Sequence, residues 1–115
     1  MMKRIVLGCA LMLWATGAAA HSPLMLTEPA HQAQLSAAPS QLVMQFKGNI
    51  RLTRVTLSRG DEVLDVDLGT HEGFISDYTL PLEVEGPGTY QVEWRGLGDD
   101  GHPMTGTFAF QVTAE

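Results

Sequence analysis

Two short stretches of the chain carry histidine in positions that suit metal chemistry. One is His21, which follows Ala18-Ala19-Ala20, and the other is Asp99-Asp100-Gly101-His102-Pro103. A histidine that begins a chain offers its α-amine and its imidazole Nδ1, and these two nitrogens close a six-membered ring on a metal. Asp100 and His102 are two residues apart, so in an extended segment both side chains project to the same side.

Together these groups would supply three nitrogens and one oxygen. Such donors in a tetragonal arrangement suit copper(II), which also stands at the top of the divalent affinity order. We therefore predict one copper(II) ion bound by His21, Asp100 and His102. Each half of the pattern has an ordinary explanation by itself, because Asp-Gly is a common turn pair and any exported chain must begin with some residue. The prediction depends on their joint occurrence.

The residues before His21 have the layout of a secretory signal peptide. Residues 1–4 end with the basic pair Lys3-Arg4, residues 5–14 are mostly apolar, and residues 15–20 are small. The apolar run is much shorter than the roughly 20 residues that span a bilayer. We predict a cleaved signal peptide at residues 1–20, a single domain at residues 21–115 and a periplasmic location.

Cysteine content and charge exclude several other classes of site and partner. A lipoprotein cleavage before Cys9 would leave an apolar region of about four residues, where about seven to fifteen are expected. The one cysteine then leaves with the signal peptide, so we expect neither a disulfide nor a thiolate metal site. All 13 acidic residues follow residue 20 and the net charge is −6, a poor basis for binding nucleic acid or anionic membranes.

From residue 21 onward the apolar pattern predicts strands and no helix. Apolar residues alternate around residues 42–46, 89–95 and 106–113, and further strands are expected at 24–28, 52–57, 63–68 and 78–80, with a very short one at 34–35. Lys47-Gly48-Asn49 is expected to break a strand, and residues 96–103 are expected to form a loop. About seven strands favour an all-β, immunoglobulin-like antiparallel β-sandwich with Greek-key connections; a small Greek-key barrel is the alternative.

The same residues resemble a known family, the periplasmic copper-resistance proteins of the CopC/PcoC type, over nearly all of residues 21–115. The resemblance depends on these segments: His21-Ser22-Pro23-Leu24, Glu28-Pro29-Ala30, Gly88-Thr89-Tyr90-Gln91-Val92-Glu93-Trp94-Arg95, Asp100-Gly101-His102-Pro103 and Gly106-Thr107-Phe108-Ala109-Phe110-Gln111-Val112. It implies the same three copper ligands, a role in copper sequestration, homeostasis or delivery, and a CopD-like inner-membrane copper transporter as partner.

The sequence also departs from the family pattern. Some members carry a methionine-rich copper(I) loop in mid-chain, but residues 60–77 contain no methionine. Met44 is expected in the core, and Met25 and Met104 are expected to be packing residues, although Met104 follows His102 closely enough to lie near the copper. Members often have an acidic residue where Gly48 stands, so no second carboxylate ligand is expected from that strand.

Two other classes of function stay open at this point. A copper-dependent oxidative enzyme can also use an N-terminal histidine chelate, but a ligated Asp100 would occupy the position that oxygen activation needs. A metal-free immunoglobulin-like interaction module is the other alternative. His31 and His71 are expected to be exposed loop residues, with an auxiliary role in metal binding left open. We expect a binding protein and not an enzyme.

Overall fold

A computed structural model describes residues 23–69 and 73–113, which form seven β-strands. In chain order the strands are β1 (Leu24–Glu28), β2 (Ala33–Leu35), β3 (Gln41–Arg59), β4 (Glu62–Asp65), β5 (Ile75–Pro81), β6 (Gly88–Gly98) and β7 (Pro103–Val112). The described ranges contain no helix that could cross a membrane. The predicted all-β fold with about seven strands is confirmed.

The long strand β3 takes part in both layers of the fold. Its first part, from Gln41 to Gln45, lies between β1 and β5. Its second part, from Ile50 to Ser58, pairs with β6 and, near its end, with β4. The sheet continues from β6 through β7 to β2, which runs parallel to β7. The result is the predicted sandwich-like arrangement, with β3 passing from one layer to the other.

Alternating apolar residues of β3, β5, β6 and β7 build one core. The ring of Phe46 meets Tyr78 and Trp94 edge-on, with centroids 6.0 and 5.1 Å apart. The inward faces predicted from alternation are all buried: Leu42, Met44 and Phe46 on β3, Tyr90, Val92 and Trp94 on β6, and Phe108, Phe110 and Val112 on β7. Each large apolar side chain buried in this way stabilises the fold by about 1.5–3 kcal/mol.

The predicted break at Lys47-Gly48-Asn49 is wrong, since β3 is continuous through it. The three residues are exposed, and the pairing of β3 with β5 shifts register between Gln45 and Ile50. The Lys47 backbone N–H donates to the Pro23 carbonyl at 2.8 Å. This polar triplet therefore marks the place where β3 changes partners and not the place where it ends.

The strand predicted at 63–68 is shorter and less buried than expected. It ends at Asp65, and Val63 and Leu64 are 70% and 42% exposed, whereas Val66 is buried. In the described sheet β4 pairs with β3 alone, so its apolar side chains lie at an edge with little to cover them. Alternation in the sequence could not show that the strand was at an edge.

The turn before β6 has a feature typical of immunoglobulin-like folds. The Tyr90 hydroxyl donates to the Gly86 carbonyl, four residues upstream, at 2.7 Å. It also accepts a hydrogen bond from Arg59 Nη1 at 2.8 Å, and the same guanidinium donates to the Glu85 carbonyl. These bonds fix the start of the hairpin that carries the candidate site at its other end.

Candidate metal centre

The hairpin of β6 and β7 holds the Asp-Gly-His stretch at its tip. The two strands pair along their whole length, from Gly88 opposite Val112 to Leu97 opposite Pro103. The connecting loop is therefore residues 99–102, and the predicted loop at 96–103 was too long at both ends. Residues 96–98 and 103 lie in strands because they continue the cross-strand pairing.

Backbone hydrogen bonds make this loop tight. The Gly98 N–H donates to the His102 carbonyl at 3.0 Å, and the Gly101 N–H donates to the Gly98 carbonyl at 2.9 Å. Gly101 has φ of +87°, a left-handed conformation that glycine adopts without steric cost. The turn leaves Asp99, Asp100 and His102 exposed at the tip.

Asp100 and His102 are in direct contact. One carboxylate oxygen of Asp100, Oδ2, lies 3.0 Å from His102 Nδ1, and the other, Oδ1, accepts the His102 backbone N–H at 3.0 Å. The hydrogen bond from the His102 side chain lowers the pKa of Asp100 below its usual 3.8, and the carboxylate raises the pKa of His102 above its usual 6.5. Both side chains remain open to solvent, with 79% of His102 and 60% of Asp100 exposed.

This contact sets the chemistry that the imidazole offers. When neutral His102 donates its Nδ1–H to Asp100, the free lone pair of the ring lies on Nε2, and the side chain as a whole is exposed. A carboxylate that holds a histidine in this way orients it and increases its basicity as a metal ligand. An oxygen that holds Nδ1 lies on the opposite side of the ring from Nε2, so Asp100 and His102 can share one metal only when that metal takes the place of the proton between Oδ2 and Nδ1.

Two of the three predicted ligands are thus together, and the third, His21, lies outside the described residues. Pro23 lies beside Lys47 of β3, and three positions further along the same strand Ile50 pairs with Gly98. Three residues of strand correspond to about 10 Å, so the first described residue and the start of the loop are near the same part of β3. Within the described ranges, no three His, Cys, Asp or Glu side chains converge.

The methionines and the remaining histidines lie in different settings. Met25 is 60% exposed, so the expectation that it packs is wrong; Met104 is half-buried, packs against the core and lies beside Gly98, next to Asp100. His31 is exposed, and its Nδ1 accepts the Ala109 backbone N–H at 3.1 Å. His71 lies outside the described residues. The spacing of Met104, two residues past His102, was the sequence signal that it lies near the candidate site. Nothing in the sequence pointed to the contact between His31 and Ala109.

Several known proteins are similar to this chain in sequence. Copper resistance protein C of Pseudomonas syringae pv. tomato is 29% identical, over 94% of this chain and 93% of that protein. Protein YobA of Escherichia coli K12 is 28% identical, over 81% and 79%. Copper transport protein CutJ of Bacillus subtilis is 26% identical over 81% of this chain, but the match covers only 18% of that longer protein.

Two crystal structures share the architecture. CopC from Methylosinus trichosporium OB3b superposes with a TM-score of 0.69 at 21% identity, covering 83% of this chain and 96% of that one. PcoC from Escherichia coli, described as a methionine-rich copper resistance protein, gives 0.57 at 23% identity, covering 82% and 100%. The family model of the CopC domain matches residues 24–113, which contain the β6–β7 hairpin and its loop. The resemblance found in the sequence is confirmed, and this chain belongs to the CopC domain family.

Proposed function

We propose that this protein binds one copper(II) ion at the tip of the β6–β7 hairpin and serves copper sequestration, homeostasis or delivery in the periplasm. The ligands are the α-amine and imidazole of His21, an oxygen of Asp100 and the imidazole of His102. The observation that carries the proposal is the 3.0 Å contact between Asp100 Oδ2 and His102 Nδ1, which places two of the proposed donor groups side by side on exposed side chains. No chemical step on a substrate is part of the proposal.

The position of Pro23 beside β3 supports a role for His21. Pro23 is two positions after His21, and a segment of this length reaches about 7 Å when extended. Pro23 and Gly98 are both tied to the Lys47 to Ile50 part of β3, so a site that joins the chain start to the loop needs only a short span. Removal of residues 1–20 is required by this proposal, since the His21 nitrogen is otherwise an amide and not an amine.

Copper titration of the protein that begins at His21 tests the proposal. We expect one equivalent of copper(II) to bind in competition with a chelator. His102→Ala should weaken binding by more than about tenfold, because loss of a residue that only orients a metal ligand already costs at least about tenfold in affinity. Asp99→Ala is the matched control, because Asp99 shares the exposed loop. Full affinity in His102→Ala would contradict the proposal.

We further propose that the bound copper passes to a CopD-like inner-membrane copper transporter. Support comes from CutJ, in which the segment similar to this chain is 18% of a longer protein named for copper transport. A segment that is part of a longer copper transport protein in one organism can act as a separate chain in another. Deleting this protein in its host should lower copper uptake when copper is scarce, and unchanged uptake would contradict delivery.

A further inference from the structure

A soft donor, the thioether of Met104, lies in the same cluster as Asp100. A Cβ on Gly98 would be 3.0 Å from Asp100 Oδ1, 2.9 Å from Met104 Cε and 3.8 Å from Met104 Sδ. The carboxylate and the thioether therefore converge over the bare backbone of Gly98. Any larger residue at position 98 would displace one or both of them.

The position of Met104 on the hairpin also brings it toward His102. His102 directly precedes β7, and Met104 is the second residue of that strand. The His102 carbonyl accepts the Gly98 N–H at 3.0 Å, so His102 and Met104 both lie beside Gly98. Met104 is only half-buried, and its three rotatable side-chain bonds allow the sulfur to adjust its position.

We propose that Met104 is a copper(I) ligand of this centre, so that the centre binds copper(I) through Met104 Sδ and the His102 imidazole as well as binding copper(II). This inference rests on the proposed function, since both oxidation states use His102. Thioether sulfur selects copper(I), whereas imidazole and carboxylate donors suit copper(II). The other described methionines lie elsewhere, with Met44 buried in the core and Met25 exposed on β1.

Two matched variants test the assignment. Met104→Leu replaces the thioether by an apolar side chain of similar volume, a change that well-packed sites tolerate. Met25→Leu makes the same replacement outside the cluster. Competition with a copper(I) chelator, under anaerobic and reducing conditions, should show copper(I) affinity at least about tenfold lower in Met104→Leu, or about 1.4 kcal/mol, and unchanged in Met25→Leu. Copper(II) affinity should stay within about threefold in both, because its donors are nitrogen and oxygen.

X-ray absorption of the copper(I)-loaded wild-type protein gives a second readout that needs no variant. A sulfur scatterer is expected in the first coordination shell of copper(I). Its absence, or equal copper(I) affinity in wild type and Met104→Leu, would overturn the inference. If copper(II) binding still depends on His102, the proposed function stands and only the role of Met104 is lost; loss of the His102 dependence would instead remove the proposed function.

Discussion

His102 Nδ1 lies 3.0 Å from Asp100 Oδ2, and the other oxygen of the same carboxylate holds the His102 backbone N–H. The carboxylate thus fixes both the ring and the main chain of His102. It does so within a four-residue loop that the strands β6 and β7 hold at their ends. The imidazole is oriented before any metal arrives, and 79% of the His102 side chain remains exposed.

The first prediction concerns the ionisation of this pair. In the metal-free protein, NMR titration of the His102 ring should give a pKa above 6.5, because the adjacent carboxylate stabilises the imidazolium. Asp100→Asn should lower this pKa toward 6.5, whereas Asp99→Asn should change it little. A His102 pKa that is the same in wild type and Asp100→Asn would contradict the contact.

The pair also links stability to pH. The pKa of His102 is raised, so its contribution is present below pH 6.5 and is lost as the pH rises through the raised value. The pKa of Asp100 is lowered, so its contribution is present above pH 3.8 and is lost as the pH falls through the lowered value. The melting temperature of wild type should therefore exceed that of Asp100→Asn most between pH 3.8 and 6.5. The difference should be small, since both groups are exposed.

The second prediction separates His31 from copper binding. Its Nδ1 accepts the Ala109 N–H, so in the neutral ring Nε2 carries the proton and has no free lone pair for a metal. His31→Ala should keep copper(II) affinity within about threefold of wild type by chelator competition. Removal of an imidazole that coordinates the metal would lower the affinity by more than this. A tenfold loss would show that His31 is a ligand.

The third prediction concerns the packing of the hairpin. A Cβ on Gly106 would lie 2.6 Å from Trp94 Nε1, and the Trp94 ring is buried against Phe46. Gly106→Ala should therefore lower the free energy of unfolding by about 1–3 kcal/mol, measured by urea denaturation. Gly48→Ala is the control, because a Cβ there meets nothing within 4 Å. Equal denaturation midpoints for Gly106→Ala and wild type would contradict this packing.

The sequence predicted the faces of the strands better than their ends. Alternation identified the buried faces of β3, β6 and β7 because each strand there is covered on one side only. Lys47-Gly48-Asn49 was misread as a break, since local turn preference does not show that β3 exchanges partners at that point. Turn preference also places the ends of the 99–102 loop wrongly, because cross-strand pairing is not local: Leu97 lies opposite Pro103 and Gly98 opposite Ile50, which continues β6 to Gly98.

The candidate site was predictable in part. The spacing of Asp100 and His102 predicted that they share a side, and the structure brings them into contact. The direction of that contact, from Nδ1 to the carboxylate, depends on the turn at Gly101 and could not be obtained from spacing. The closeness of Met104 to Asp100 depends on the absence of a side chain at Gly98, which lies across the hairpin and not next to Met104 in sequence.

The central claim is that the start of the chain and the hairpin loop form one copper(II) site. The most direct test compares the copper(II) affinity of the protein that begins at His21 with that of the same protein acetylated at its N-terminus. Acetylation turns the His21 amine into an amide, adds no new amine and leaves the side-chain donors in place. The account predicts a loss of at least about tenfold, or 1.4 kcal/mol. Equal affinities would contradict it.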